Sequence, residues 1–275
     1  MDKQFKPVIK AAYRGDFALF KSLLRHNPEL IVMTSNDPGD SPNLIQFIVV
    51  EGGLGKIPDA ATFLTHLLEN GSTTKKQLVA AASVNARELV DVLISSGVPL
   101  TDGAPWTAIE ESLYWKHQDM AAYLLNEHGA KINSLCAAAM LGNAEATERF
   151  FDENGKLSSA LLPIHFPWGA IQDSVEQDAI DQAFILALRN KKYNTPALLL
   201  KRGANINAIP PGNHEECTAL HQAVYLNDID MVDWLIDRDA TGNIKDPRYK
   251  ADAIEWARHF ENTALENHLK KRLKK

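Results

Sequence analysis

Cysteine is scarce in this chain of 275 residues: only Cys136 and Cys217 occur, far apart. Two isolated thiols build neither a disulfide framework nor a four-cysteine zinc site, so both are expected as reduced thiols in a cytoplasm-like compartment. Long apolar runs are missing as well. No stretch of about 18 apolar residues occurs, and no membrane partner is expected. "MDKQFKPVIKAAYRGD" at the start has no apolar core behind its charges, unlike an ordinary secretory signal; export by a system that reads other signals would leave no mark here. Positive charge is in deficit, with 29 Lys and Arg against 35 Asp and Glu and a formal net charge of −6. Such a chain lacks the field that draws a phosphate backbone, so nucleic acid is not the expected partner. Enzyme signatures are absent too. "GGLGK" (52–56) is too short and wrongly ended for a phosphate loop, and neither a nucleophile elbow nor a kinase signature is found. That weighs only lightly against catalysis, because many catalytic sites carry no local motif.

What is present is an ordinary globular composition, 45% hydrophobic and 23% charged, which rules out disorder over most of the chain. "IKAAYRGDFALFKSLLRHNPEL" (9–30) and "LHQAVYLNDIDMVDWLIDRDA" (220–240) share one grammar: a small or apolar pair, two free positions, a Gly or Asn slot, then a Leu-rich apolar helix. The slot recurs at Gly15, roughly Gly52, Asn85, His117, Gly142, Asn190, Asn227 and Glu261, a period near 33 residues with one short and one long interval around Gly142. In the last full unit Ile229, Met231, Trp234 and Leu235 fall at helical spacing and predict one apolar stripe per short helix. A pair of such helices is too small to bury its stripes alone, so neighbours must stack. "NGS" (70–72), "SGV" (96–98), "HGA" (128–130) and "RGA" (202–204) place glycine just past a helix, where a left-handed cap suits it best. Two stretches depart from the pattern. Turn-forming residues in 36–43 and 51–58 interrupt the second unit, and 155–177 lengthens the fifth with Pro163 and Pro167 beside Phe166 and Trp168, so that it cannot be one helix.

The motifs carry a resemblance. "TALHQAVYLNDIDMVDWLIDRDA" looks like an ankyrin repeat, with Thr218, Leu220 and His221 matching the Thr-Pro-Leu-His motif and Ala219 standing where proline is usual. "LLLKRGANINA" (198–208) is similar to the family's second-helix ending, and "AIEWARHFENTALENHL" (253–269) to its closing repeat. The likeness is strong over 178–269, fair over 8–30 and 77–151, and weak over 31–76. It implies an all-α solenoid of about seven to eight helix-turn-helix units with β-turn or loop tips. The chain is read as a single domain, 1–275, with 31–76 a degenerate repeat and 155–177 a non-repeat excursion. The implied function is protein-protein interaction without catalysis or cofactor. The polar ends, "MDKQFKP" and "ENHLKKRLKK", suit capping units and hence a monomer.

Cys217, His221 and Asp228 lie close together in sequence and raise the question of a reactive site. The resemblance implies the opposite: Thr218 caps a helix, and His221 ties neighbouring turns together by hydrogen bonds. Threonine is a favoured N-cap, and a partly buried imidazole needs partners for both nitrogens. "NHEEC" (213–217) suggests a metal through His214, Glu216 and Cys217 but lacks the two-histidine helical spacing of a zinc hydrolase, so no metal is expected. Cys136 occupies an apolar helix position. The lysines of 270–275 are expected to complement the last helix's dipole. Two alternatives come from other classes. One is a small effector enzyme whose proton-transfer pair, His165 and Asp173, lies in the excursion; the other is an inhibitor that masks an enzyme with the same segment.

In the implied stack, the two free positions before each slot face the concave side. In order they are Tyr13 and Arg14, Ser83 and Val84, Trp115 and Lys116, Met140 and Leu141, Leu188 and Arg189, Tyr225 and Leu226, His259 and Phe260. Large aromatic and apolar residues there are the composition of an interface core. Tyr13, Arg14, Trp115, Lys116, Met140, Leu141, Arg189, Tyr225, Leu226 and Phe260 are therefore the expected contacts with a protein or peptide, unless the excursion folds over them. Trp234 and Trp256 are expected in the core. Trp106 is either a plug between repeats or a ligand contact.

Overall fold

A computed structural model of the chain describes residues 2–36, 43–73, 75–158, 161–212 and 216–274. It contains sixteen α-helices among those residues, arranged as eight consecutive pairs, and one short hairpin. This is an all-α repeat architecture. The chain divides into two compact units, Met1–Lys131 and Ile132–Lys275.

The first unit holds α1 (Lys6–Tyr13) with α2 (Phe17–His26), α3 (Leu44–Gly53) with α4 (Ala60–Glu69), α5 (Gln77–Ser83) with α6 (Arg87–Ser95), and α7 (Ala108–Tyr114) with α8 (Gln118–Asn126). First helices pack on first helices, α3 on α5 and α5 on α7, and α4 packs on α6. Alanine makes the approach close: Ala11, Ala12, Ala81 and Ala82 are fully buried in the first helices. Gly52 and Gly53 serve the same end, since a Cβ at Gly52 would lie 2.3 Å from that of Ala60, and one at Gly53 would lie 2.4 Å from a Val84 methyl. Thus "GG" at 52–53 is a packing device. The connector 54–59 between α3 and α4 is longer than 84–86 of the next pair. The turn-rich residues 37–42 ahead of α3 lie outside the described ones.

The second unit holds α9 (Leu135–Leu141) with α10 (Ala144–Glu148), α11 (Glu176–Arg189) with α12 (Asn194–Lys201), α13 (Ala219–Tyr225) with α14 (Ile229–Ile236), and α15 (Ala253–His259) with α16 (Thr263–Leu273). Its first helices stack in order, α9 on α11 on α13 on α15, while α10 packs on α12 and α14 on α16. The excursion is a hairpin: β1 (Ile164–Phe166) pairs antiparallel with β2 (Gly169–Ile171), His165 opposite Ala170. Phe166 is buried, and Gln182 of α11 donates to the His165 carbonyl at 2.9 Å. The prolines bar a helix here, but nothing in the apolar composition of 155–177 distinguishes a paired hairpin from a packed loop.

One backbone device makes every pair. A left-handed residue turns the chain between the two helices: Gly15, Gly55, Asn85 and Lys116 in the first unit, and Gly142, Lys191, Asn227 and Glu261 in the second, with φ between 50° and 73°; the longer α3–α4 connector adds a second at Asp59. The next amide then reaches back to close the first helix, as in Asp16 N to Ala11 O at 2.9 Å and Asp228 N to Ala223 O at 2.9 Å. In four pairs that next residue also caps the second helix: the side chains of Asp16, Asn143, Asp228 and Asn262 each accept an amide from its first turn. The slot assignments at Gly52, His117 and Asn190 are therefore corrected to Gly55, Lys116 and Lys191. Glycines 71, 97, 129 and 203 behave as expected, each with positive φ just past a second helix.

Candidate functional site

The trio in α13 and α14 is structural. Thr218 Oγ1 accepts the His221 amide and lies 2.8 Å from Nδ1, while His221 Nε2 is 3.1 Å from the carbonyl of Ala251 in the following repeat. A carbonyl only accepts, so Nε2 carries the proton and Nδ1 takes the Thr218 hydroxyl hydrogen. Burial pushes the imidazole below its ordinary value, and it is neutral at pH 7. Cys217 is buried and accepts from Gln222 Nε2 at 3.2 Å. Asp228 caps α14 and pairs with Lys191 at 3.0 Å. Burial alone raises its carboxyl, but the lysine and the capped amides outweigh that and hold it below the ordinary range. Three side chains with committed partners leave no activated nucleophile.

His165 is on β1 and Asp173 in the turn after β2, on an exposed stretch. His214 lies outside the described residues; Glu216 is exposed while Cys217 is buried. Cys136 is buried and donates to Gln182 Oε1 at 3.3 Å. In the basic tail Lys270 pairs with Glu266 of its own helix at 2.7 Å, and Arg272 bonds Asp233 and Asp237 of α14 and its C-cap and so ties the last helix to the preceding repeat.

In the first unit the expected contacts Tyr13, Arg14, Trp115 and Lys116 are all exposed at the ends of first helices, with Ser83 and Val84 half-buried. Two of them are held in place. The Tyr13 hydroxyl donates to Glu51 at 2.6 Å, and its ring stands edge-on to Phe47. Burial and the neighbouring carboxylate push its pKa up to about 12. Trp115, 49% exposed, donates its indole N–H to Glu111 at 2.7 Å. The other Glu111 oxygen takes the buried Trp106 indole, also at 2.7 Å. Trp106 is thus buried against Glu111 and Tyr114 of the helix it precedes. Burial raises the Glu111 carboxyl, and the two indole donors only partly offset it.

The second unit corrects part of the strip. Met140 and Leu188 are fully buried, because α9 packs closely on α11 and α11 buries every residue from Ala179 to Leu188. Met140 is therefore core, and Leu141 and Arg189 beside it are half-buried. Exposure returns in the last two repeats. Tyr225 is 50% exposed and Phe260 46%, with Leu226 half-buried between them in sequence and the hinge. Their rings meet at 5.8 Å in a T-shaped pair, and the hairpin covers neither. Ile229 and Trp234 were also expected to face inward. Ile229 is instead exposed, Val232 takes its place in the core, and Trp234 is half-buried with the Arg238 guanidinium 4.1 Å above its ring.

Sequence reasoning missed the loop between α14 and α15. There Asp246 accepts from the amides of Arg248, Tyr249 and Ala251 and from the Trp256 indole at 3.0 Å. These four donors overcome the upward push of burial and hold its carboxyl below the ordinary range. The turn so built carries Tyr249, 64% exposed, to the side of Trp256 at 6.2 Å. Tyr225, Tyr249, Trp256 and Phe260 line one cleft of about 490 Å³. The signal in the sequence was "DPRY" (246–249), an Asp placed to fold a turn, next to an aromatic.

Among the described residues no helix is long and apolar enough to cross a membrane. No curated protein matches the chain. Residues 135–246 match the family model described as ankyrin repeats, in 3 copies. The match spans α9 to α14, where the left-handed hinge, the capped second helix and the Thr218–His221 tie have just been described. Residues 135–246 are thus similar to ankyrin repeats, and the other helix pairs are built on the same plan.

Proposed function

We propose that the protein is a non-catalytic interaction module, working as a monomer in the cytoplasm, that binds a protein or peptide segment at the exposed ends of its first helices. Tyr13, Arg14, Trp115 and Lys116 form the contact strip of the first unit; Leu141, Arg189, Tyr225, Leu226 and Phe260 form that of the second. Ankyrin repeats generally mediate protein-protein interaction, which supports the class. The single observation that carries the location is that large aromatics remain about half exposed at these helix ends: Tyr13, Trp115, Tyr225 and Phe260. Interface cores favour Trp, Tyr, Phe and Arg, and the indole and phenol bonds to Glu111 and Glu51 fix two of the rings before any partner arrives. Both cysteines are buried thiols, which suits a reducing compartment.

Hydrogen exchange on the chain alone and with its captured partner tests this. Protection should rise at 13–16, 115–117, 225–227 or 259–261. Protection confined to the outward faces of second helices would overturn the location.

A further inference from the structure

The cleft in the last two repeats has a chemistry of its own. Its rings meet at steep angles: Tyr225 with Phe260 at 63°, Trp256 with Phe260 at 79°, Tyr249 with Trp256 at 72°. Rings of differing orientation therefore line one space of about 490 Å³, with Trp256 almost wholly buried beneath it. Each aromatic face is negative, so a space walled this way suits a cation that sheds its water readily.

Three observations favour a cation over a merely apolar guest. The Trp256 indole donates to the Asp246 carboxylate at 3.0 Å, which pushes electron density onto the ring at the cleft floor. The Arg248 guanidinium already rests on Tyr249, 5.2 Å from the ring centre, so one wall holds a weakly hydrated cation now. Glu216 lines the same cleft with an exposed carboxylate that has no ion pair among the described residues. Two carboxylates, Asp246 and Glu216, line the cleft against one guanidinium, that of Arg248.

We propose that this cleft binds a methylated ammonium group, of the kind borne by choline or by a trimethylated lysine on a partner segment. The methyls would lie against the Tyr225, Tyr249 and Phe260 rings above Trp256, Glu216 would supply the countercharge, and Arg248 would swing off Tyr249 to admit the group. An unmethylated ammonium is too strongly hydrated to leave water for such walls.

Calorimetric titration of the purified full chain tests this with choline and with its uncharged isostere 3,3-dimethylbutan-1-ol. Choline should bind at least about 5-fold more tightly, the part of the affinity that shape alone cannot provide. Tyr249→Ala and Glu216→Gln should each weaken choline by about 3- to 10-fold with melting unchanged. Arg248→Ala should tighten it about 2-fold or more, since the resident cation is removed. Equal binding of the isostere, weaker choline binding in Arg248→Ala, or no choline binding at all would overturn the proposal. A short peptide carrying trimethyllysine, run beside its unmethylated form, separates the two sources: a methyl-dependent affinity well above that of choline assigns the site to a partner's side chain, and one at or below it assigns the site to the free ligand. Because the titration needs no protein partner, its failure leaves the Tyr13 and Trp115 strip untouched, and loss of that strip leaves the cleft standing.

Discussion

His221 is neutral in the fold because burial holds its pKa below the ordinary 6.5, whereas in the unfolded chain it titrates near that value. The unfolded state therefore binds the proton first as pH falls. The histidine's contribution to stability is complete above the unfolded value and is lost progressively below it, toward the lowered folded one. Melting temperature should fall between pH 7 and 5, and the fall should be smaller in His221→Gln; an equal slope in both would show that the imidazole is not held neutral. Residues at neighbouring strip positions should separate just as clearly. Met140→Ala empties a fully buried site and should cost about 2–5 kcal/mol in denaturant unfolding. Tyr225→Ala removes a half-exposed ring and should cost about 1 kcal/mol or less. Sequence placed the two in equivalent slots. What distinguishes them is how closely the next repeat's first helix lies, which depends on α11 and its all-buried face.

Each helix pair turns at a left-handed residue, and five of the eight hinges carry no glycine, the exceptions being Gly15, Gly55 and Gly142. A side chain there is strained by about 1–2 kcal/mol, against roughly 0.5–1 kcal/mol that glycine loses through its freer unfolded chain. Glu261 is exposed at φ 55°, so Glu261→Gly should raise stability by about 0.5–1 kcal/mol. Gly142→Ala should lower it by about 1–2 kcal/mol, since its Cβ would also press within 3.1 Å of Lys192 and 3.2 Å of Asn194. Chemical unfolding of both variants measures these signs. The hinges were legible as a period because Gly, Asn and a following Asp or Asn cap are local chemistry. Their exact positions at Lys116 and Lys191 were not, because lysine gives no hint of positive φ. The 246–249 turn has a local signal in "DPRY", but its meaning does not, because that comes from Trp256, ten residues on, which donates to Asp246.

Across the whole chain, the repeat plan was readable because each pair reuses one grammar. Which faces stay open was not, because exposure is decided by neighbours: the strip expected to run through every repeat is interrupted where Met140 and Leu188 are buried. What remains is a set of rings at first-helix ends whose exposure the packing does not require. The most direct measurement is the affinity of purified partner for the wild type and for Tyr225→Ala/Phe260→Ala, taken with the melting temperature of each. A loss of about 10-fold or more with little change in melting is expected, at roughly 1–2 kcal/mol per anchor. Unchanged affinity, or a collapse of melting in step with it, would show that these rings serve the fold and that partners are held elsewhere.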